Sequence, residues 1–229
     1  MKGHFFHRDD LEILLENALN KTLGEVDVNN VFDKTKTKPK ITGIAGAVIE
    51  QSVLGLPADN KQWPDLDVDG VDTELKTTGI RLSKKDTNKY EAKEPLSITA
   101  VSPEQIVSEV FSTSNFWHKL EHILLVYYHY ASNKTVKACQ YSDFYIKGYE
   151  FYEFNEEDKA RLKNDWEIVR DFVKKLQDSY EVPESQYYRL SSELRDKLIY
   201  RYSSKVAEPT TIPSEETSGY KYSTKSFWR

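Results

Sequence analysis

The chain has 229 residues, of which 38% are hydrophobic and 30% charged, a composition typical of a globular protein that buries its own core. Its net charge of -5 argues against a protein that coats nucleic acid but leaves room for a local basic surface. The single cysteine excludes an internal disulfide, and the sequence has neither a signal peptide nor an apolar run of roughly twenty residues. We therefore expect a cytoplasmic protein with no membrane partner.

The N-terminal part of the chain predicts two helices. Residues 9–23 carry leucines at helical spacing, behind Asp9 or Asp10 as an N-cap. Thr42 is a good N-cap for a second, mostly buried helix, which Gly55 can end.

The rest of the chain predicts strands and a long helix. Residues 123–128 form a continuous apolar run that is typical of a buried central strand. We expect further strands at 96–101 and 139–149, a short helix at 102–111, and a long helix capped by Asn155. These elements predict an α/β fold in which helices flank a mixed central sheet.

Between these regions, the pair Asp69-Gly70 lies among alternating polar and apolar residues, which predicts a β-hairpin with a two-residue type I′ turn. With this pair at the tip, Asp65 lies opposite Glu74. Because side chains alternate along a strand, one face of the hairpin then gathers four acids and one lysine: Asp65, Asp67, Asp72, Glu74 and Lys76.

This acidic face suggests a metal site, because like charges that oppose each other across strands are destabilising. Mg²⁺ takes a few carboxylates and keeps waters for a phosphate substrate. Lys76 lies where a cation could orient or deprotonate an attacking water. The alternative is a solvent-exposed acidic hairpin whose charges keep the protein soluble. Upstream, Glu50 lies among apolar residues of the second helix and needs a partner, either in an ion pair or in the same site.

Three short segments carry a family resemblance. Gly46 to Glu50, then Pro64-Asp65, then Glu74-Leu75-Lys76 resemble the catalytic core of the MutH family, which includes the MutH mismatch-repair nicking enzyme and GATC-cutting type II restriction endonucleases. Further matching pieces follow the family's order over nearly the whole chain: Thr22 to Glu25, Trp117 to Leu125, Asn155 to Glu167 and Tyr220 to Phe227.

The resemblance implies a restriction-endonuclease-like fold with two lobes around a DNA cleft, residues 1–135 for catalysis and 136–229 for DNA recognition. It implies a Mg²⁺-dependent endonuclease that hydrolyses phosphodiester bonds in duplex DNA at GATC-type sites, as a type II restriction enzyme does. Two alternatives keep the fold: a MutH-type nicking enzyme and a non-catalytic DNA-binding module. A third makes the acids a calcium-binding or protein-docking surface.

The resemblance also implies roles for individual residues. Asp65 and Glu74 would ligate Mg²⁺ together with the backbone carbonyl of Leu75, and Lys76 would orient or deprotonate the attacking water. Glu50 and Lys119 match further catalytic positions. The residues expected to contact DNA are Arg189, Tyr222 and Lys225, and the basic run 34–40 adds Lys38 and Lys40.

Two departures from the family pattern leave questions open. The family usually has six residues between its aspartate and its glutamate, which selects Asp67, whereas the Pro-Asp pair selects Asp65. A two-residue turn favours Asp65, and any other turn favours Asp67. In the region 186–192 only Arg189 offers a guanidinium fork for a guanine edge. The chain also ends inside an aromatic segment, so we expect a longer protein, with a second MutH-like domain or a dimer partner missing here.

Overall fold

The computed structural model describes residues 3–58, 64–83, 89–100, 102–179 and 199–202. The chain forms two compact units, each built from two separate stretches of sequence. The first unit comprises residues 1–94 and 122–152, and the second comprises residues 95–121 and 153–229.

The first unit holds three α-helices and six strands among its described residues. In chain order these are β1 (His4–Phe6), α1 (Arg8–Ala18), α2 (Lys34–Thr37), α3 (Ile44–Val48), β2 (Leu66–Val68), β3 (Val71–Leu82), β4 (Tyr90–Ala92), β6 (Ile123–His129) and β7 (Ile146–Tyr152). The described elements of the second unit are β5 (Leu96–Ala100), α4 (Pro103–Ile106), α5 (Asn115–His118), α6 (Glu156–Ser179) and β8 (Ile199–Tyr202).

The sheet of the first unit has the strand order β1-β2-β3-β6-β7, and β4 pairs with the C-terminal end of β3. Pairs β1/β2 and β3/β6 are parallel, and the others are antiparallel, so the predicted mixed α/β sheet is confirmed. The apolar run 123–128 forms most of β6, between β3 and β7. One face of the sheet packs against α1 and α3 in a single core, which includes Leu11, Val48, Leu75 and Leu124.

The second unit pairs β5 with β8 in an antiparallel ribbon and contains the long helix α6. The backbone N–H of Asp158 donates to Asn155 Oδ1 at 2.9 Å, so the predicted cap of α6 is confirmed. Its buried stripe consists of Leu162, Trp166, Val169 and Val173. None of the helices described by the structure is long and apolar enough to cross a membrane.

Several predicted helix and strand boundaries are wrong. The predicted short helix 102–111 is only Pro103–Ile106. Helix α1 spans Arg8 to Ala18, and neither Asp9 nor Asp10 caps it, since both lie in its first turn. Helix α3 follows Gly43, which adopts a left-handed conformation (φ 73°), and no Thr42 side chain caps it. The predicted strand 139–149 starts only at Ile146. Residues 138–143 instead form a 3-10 helix, in which the Ser142 hydroxyl donates to the carbonyl of Cys139.

Candidate active site

The hairpin β2-β3 has the predicted turn. Asp69 (φ 50°) and Gly70 (φ 90°) both have positive φ, which the type I′ turn requires. Leu66 pairs with Thr73, Asp67 with Asp72 and Val68 with Val71, so the predicted register is confirmed. Asp65 therefore comes opposite Glu74, immediately before the first residue of β2.

Glu74 and Lys76 form an ion pair on this face of β3. The side chain of Glu74 is 2% exposed and that of Lys76 is 19% exposed. A buried carboxylate is costly unless it is paired and hydrogen-bonded. Because Glu74 is buried, its charge does not serve to keep the protein soluble. The alternative of a solvent-exposed acidic hairpin is therefore wrong at this end, although Asp69 and Asp72 at the tip are exposed.

Two backbone hydrogen bonds fix Asp65 in place. Its Oδ2 accepts from the backbone N–H of Leu75 at 3.1 Å, and its carbonyl accepts from the N–H of His4 at 3.0 Å. The neighbouring N–H of Glu74 donates instead to His122 on the β6 side, at 2.9 Å. Because one residue's N–H and C=O point to the same side of a strand, the carbonyl of Leu75 points towards the side of Asp65.

Asp67, the alternative to Asp65, has a role in the turn. Its Oδ1 accepts from the backbone N–H of Gly70 at 2.7 Å, and the residue is 5% exposed. The two-residue turn is the condition under which the sequence favours Asp65 as the metal ligand.

Glu50 lies in a π-helical turn (Ile49–Val53) that continues α3, where the N–H of Leu54 donates to the carbonyl of Ile49 at 3.0 Å. Such turns are rare and often occur at functional sites. A Cβ placed on Gly46 would lie 3.7 Å from Glu50 Oε1 and 3.9 Å from the Cβ of Thr77 in β3. The carboxylate thus lies close to β3, one residue beyond Lys76.

The other predicted site residues lie elsewhere or cannot be placed. Lys119 is half-buried at the C-terminal end of α5, in the second unit. Lys38 and Lys40 are exposed just after α2. Arg189, Tyr222 and Lys225 lie outside the described residues. The roles assigned to these residues therefore stay predictions.

The donor set on the hairpin suits a hard cation in type and number. Among the described residues no three His, Cys, Asp or Glu side chains are grouped as a metal site. Asp65 and Glu74 supply two carboxylates, and Leu75 supplies a carbonyl on the same side as Asp65. Mg²⁺ is commonly held by one or two carboxylates and otherwise by water and substrate phosphates, so this oxygen set fits it.

An N-terminal support of the hairpin was missed by sequence reasoning. Strand β1 runs parallel to β2, and a Cβ on Gly3 would lie 2.5 Å from the backbone of Leu66, so only glycine fits there. At the hairpin tip, Asp69 Oδ2 accepts from the N–H of Arg8 at 3.0 Å and Asp69 Oδ1 pairs with His7 Nδ1 at 2.8 Å. The only sequence signal was a small residue ahead of a short aromatic run.

The comparisons with known proteins fall on this region. Residues 54–165 match the family model for the DNA mismatch repair enzyme MutH, a range that contains Asp65, Glu74, Lys76 and Lys119. The type II restriction enzyme Sau3AI of Staphylococcus aureus is 31% identical over 122 residues, which are 52% of this chain and 23% of that enzyme. The chain thus spans less than two thirds of this relative. Both matches confirm the resemblance to a MutH-like family that is seen in the sequence.

Proposed function

We propose that the chain is a Mg²⁺-dependent endonuclease that hydrolyses phosphodiester bonds in duplex DNA. The observation that carries the proposal is the buried Glu74–Lys76 pair beside Asp65, whose carboxylate is bound to the backbone N–H of Leu75. All four residues lie in the segment that matches the MutH family model.

In this proposal Asp65, Glu74 and the carbonyl of Leu75 would hold the metal, and bound Mg²⁺ would supply positive charge to the phosphate and activate water. Lys76 is held at Glu74, where its ammonium can orient the attacking water and donate to a phosphate oxygen. We also propose catalytic roles for Glu50, in the π-helical turn that continues α3, and, from the family resemblance alone, for Lys119.

For the substrate we propose GATC-type sites and a type II restriction role, because the curated relative is a type II restriction enzyme. A nicking role in mismatch repair is the second candidate, favoured by the description of the family model. DNA contacts are assigned to Lys38, Lys40, Arg189, Tyr222 and Lys225. Since the match covers 23% of the relative, we propose that a further domain or a second copy adds affinity.

The proposal is tested by incubating a plasmid rich in GATC sites, methylated and unmethylated, with Mg²⁺ or with EDTA. We expect metal-dependent cutting that is lost in Glu74→Gln and Lys76→Ala and kept in Lys134→Ala, an exposed lysine of the same unit. The methylation pattern and the choice of nicks or double-strand breaks separate restriction from repair. Normal cutting by both site variants would show that the site is wrong.

If the wild-type chain does not cut, binding to the same DNA with Ca²⁺ in place of Mg²⁺ distinguishes the remaining cases. Tight binding would indicate a non-catalytic module or a domain that lacks its partner. Tight Ca²⁺ binding without DNA affinity would instead favour a calcium-binding surface.

A further inference from the structure

The hydroxyl of Thr77 is a buried polar group that the proposed function does not use. Its Oγ1 is buried and has no hydrogen-bond partner within the part of the chain that the structure describes. Buried side-chain hydroxyls are nearly always bonded to protein or to ordered water. Thr77 directly follows Lys76 on β3, and because side chains alternate along a strand, its side chain lies on the opposite face from Lys76, towards α3.

The space beside Thr77 is shared with the carboxylate of Glu50. Glu50 Oε1 and the Cβ of Thr77 both lie within 4 Å of the point at which a side chain on Gly46 would begin. Because position 46 is glycine, no side chain occupies that point. A single water in this space would bridge the two polar groups through two hydrogen bonds of about 2.8 Å each.

We propose that one buried water lies in front of Gly46, accepts a hydrogen bond from the Thr77 hydroxyl and donates one to the Glu50 carboxylate. A buried water needs two to four polar partners, and these two groups supply the minimum. The bridge would tie the π-helical turn to β3, which makes Thr77 a positioning residue for Glu50. The positioning role rests on the proposed function, whereas the water itself does not.

The direct test is a crystal structure of the full chain at a resolution that shows ordered water. We expect a water within hydrogen-bond distance of both Thr77 Oγ1 and a Glu50 carboxylate oxygen. A well-defined map with no water at that position overturns the proposal, whether or not the protein cuts DNA.

Thr77→Val provides a second test, because valine keeps the shape of threonine and removes the hydroxyl. If the hydroxyl truly lacks a partner, the variant should melt at a higher temperature, since it no longer buries an unpaired polar group. With a bridging water, Thr77→Val should melt at a lower temperature than the wild type, and Thr77→Ser, which keeps the hydroxyl, should lie closer to it. A higher melting temperature for Thr77→Val overturns the proposal.

The positioning role is tested by a double-mutant cycle on the cleavage rate. Residues that support a catalytic group from behind typically change activity by about 10- to 100-fold, so we expect a loss of at least about tenfold in Thr77→Val. In a Glu50→Gln background the same change should cost little more, because its effect runs through Glu50. If the losses of the two single variants add up in the double variant, Thr77 has a merely structural role and the positioning role is wrong. Normal cutting by Lys76→Ala would instead show that the proposed nuclease site is wrong.

Discussion

At the scale of single residues, Asp65 and Asp67 lie in different surroundings, and the sequence leaves open which of them is the metal ligand. Asp67 bonds to the N–H of Gly70 and is almost fully buried, so its carboxylate stabilises the turn. Asp65 is half-buried, and its carboxylate contacts the backbone of Leu75, next to the Glu74–Lys76 pair. A position at the edge of the site suits a metal ligand better than a position inside a turn.

Asparagine variants separate these two tasks. We expect Asp65→Asn to lose cleavage with a small change in stability, because the amide oxygen can still accept from Leu75. Asp67→Asn should keep metal-dependent cleavage and lose about 1 kcal/mol of stability, since its bond to Gly70 loses the charge of the acceptor. Urea unfolding and plasmid cleavage measure both. The opposite pattern, with cleavage lost only in Asp67→Asn, would assign the metal to Asp67.

The ion pair of Glu74 and Lys76, which the proposed function places in the active site, should also contribute to stability. Lys76→Met leaves a carboxylate that is 2% exposed without its cation, which costs about 3–5 kcal/mol in comparable buried pairs. We expect the double variant Glu74→Leu, Lys76→Met to recover most of that stability and none of the cleavage. Thermal unfolding beside a cleavage assay checks both parts. A double variant as unstable as Lys76→Met would mean that the pair is not the source of the loss.

At the scale of elements, local patterns were predictable and distant pairings were not. The Asp69-Gly70 pair predicted the turn and the register, and Asn155 predicted the cap of α6, because both depend on neighbours in sequence. Strand β1 pairs with β2 across about sixty residues, and no local pattern encodes that contact. For the same reason the sequence showed Glu50 among apolar neighbours but did not show its approach to Thr77.

The N-terminal support of the hairpin predicts a pH dependence. The hydrogen bond to the Asp69 carboxylate raises the pKa of His7. The pKa of Asp69 is lowered, mainly by the hydrogen bond from the backbone N–H of Arg8 and secondly by the hydrogen bond from His7. A raised histidine pKa stabilises the fold below the ordinary value of 6.5, and this contribution is lost as the pH rises through the raised value. The lowered pKa of Asp69 contributes above its ordinary value of 3.8 and is lost in stronger acid.

We therefore expect the melting temperature of the wild type to exceed that of His7→Gln most clearly between about pH 4 and 6.5. The difference should vanish above the raised pKa of His7 and shrink in strong acid. His4→Gln, in the adjoining strand β1, is the control and should show no such window. A difference that is constant with pH would show that His7 acts by packing alone.

At the scale of the whole molecule, the proposed function requires the chain to bind a polyanion although its net charge is -5. DNA binding then depends on where the cations lie. Lys38 and Lys40 are both exposed just after α2. Each phosphate contact adds about 0.9 to the slope of log affinity against log salt concentration. This slope therefore measures how many lysines contact the backbone, whichever sequence is read.

We expect the double variant Lys38→Ala, Lys40→Ala to weaken DNA binding equally on GATC and unrelated duplexes and to reduce the salt slope by up to about 2. Binding is measured with Ca²⁺ in place of Mg²⁺ so that the DNA stays intact. The control is Lys21→Ala, Lys134→Ala, which removes the same charge from two exposed lysines of the same unit and should leave the slope unchanged. Equal reductions in both double variants would mean that overall charge, rather than a contact made by Lys38 and Lys40, sets the affinity. A loss confined to GATC duplexes would instead make these lysines part of sequence recognition, because phosphate contacts cannot distinguish one base sequence from another.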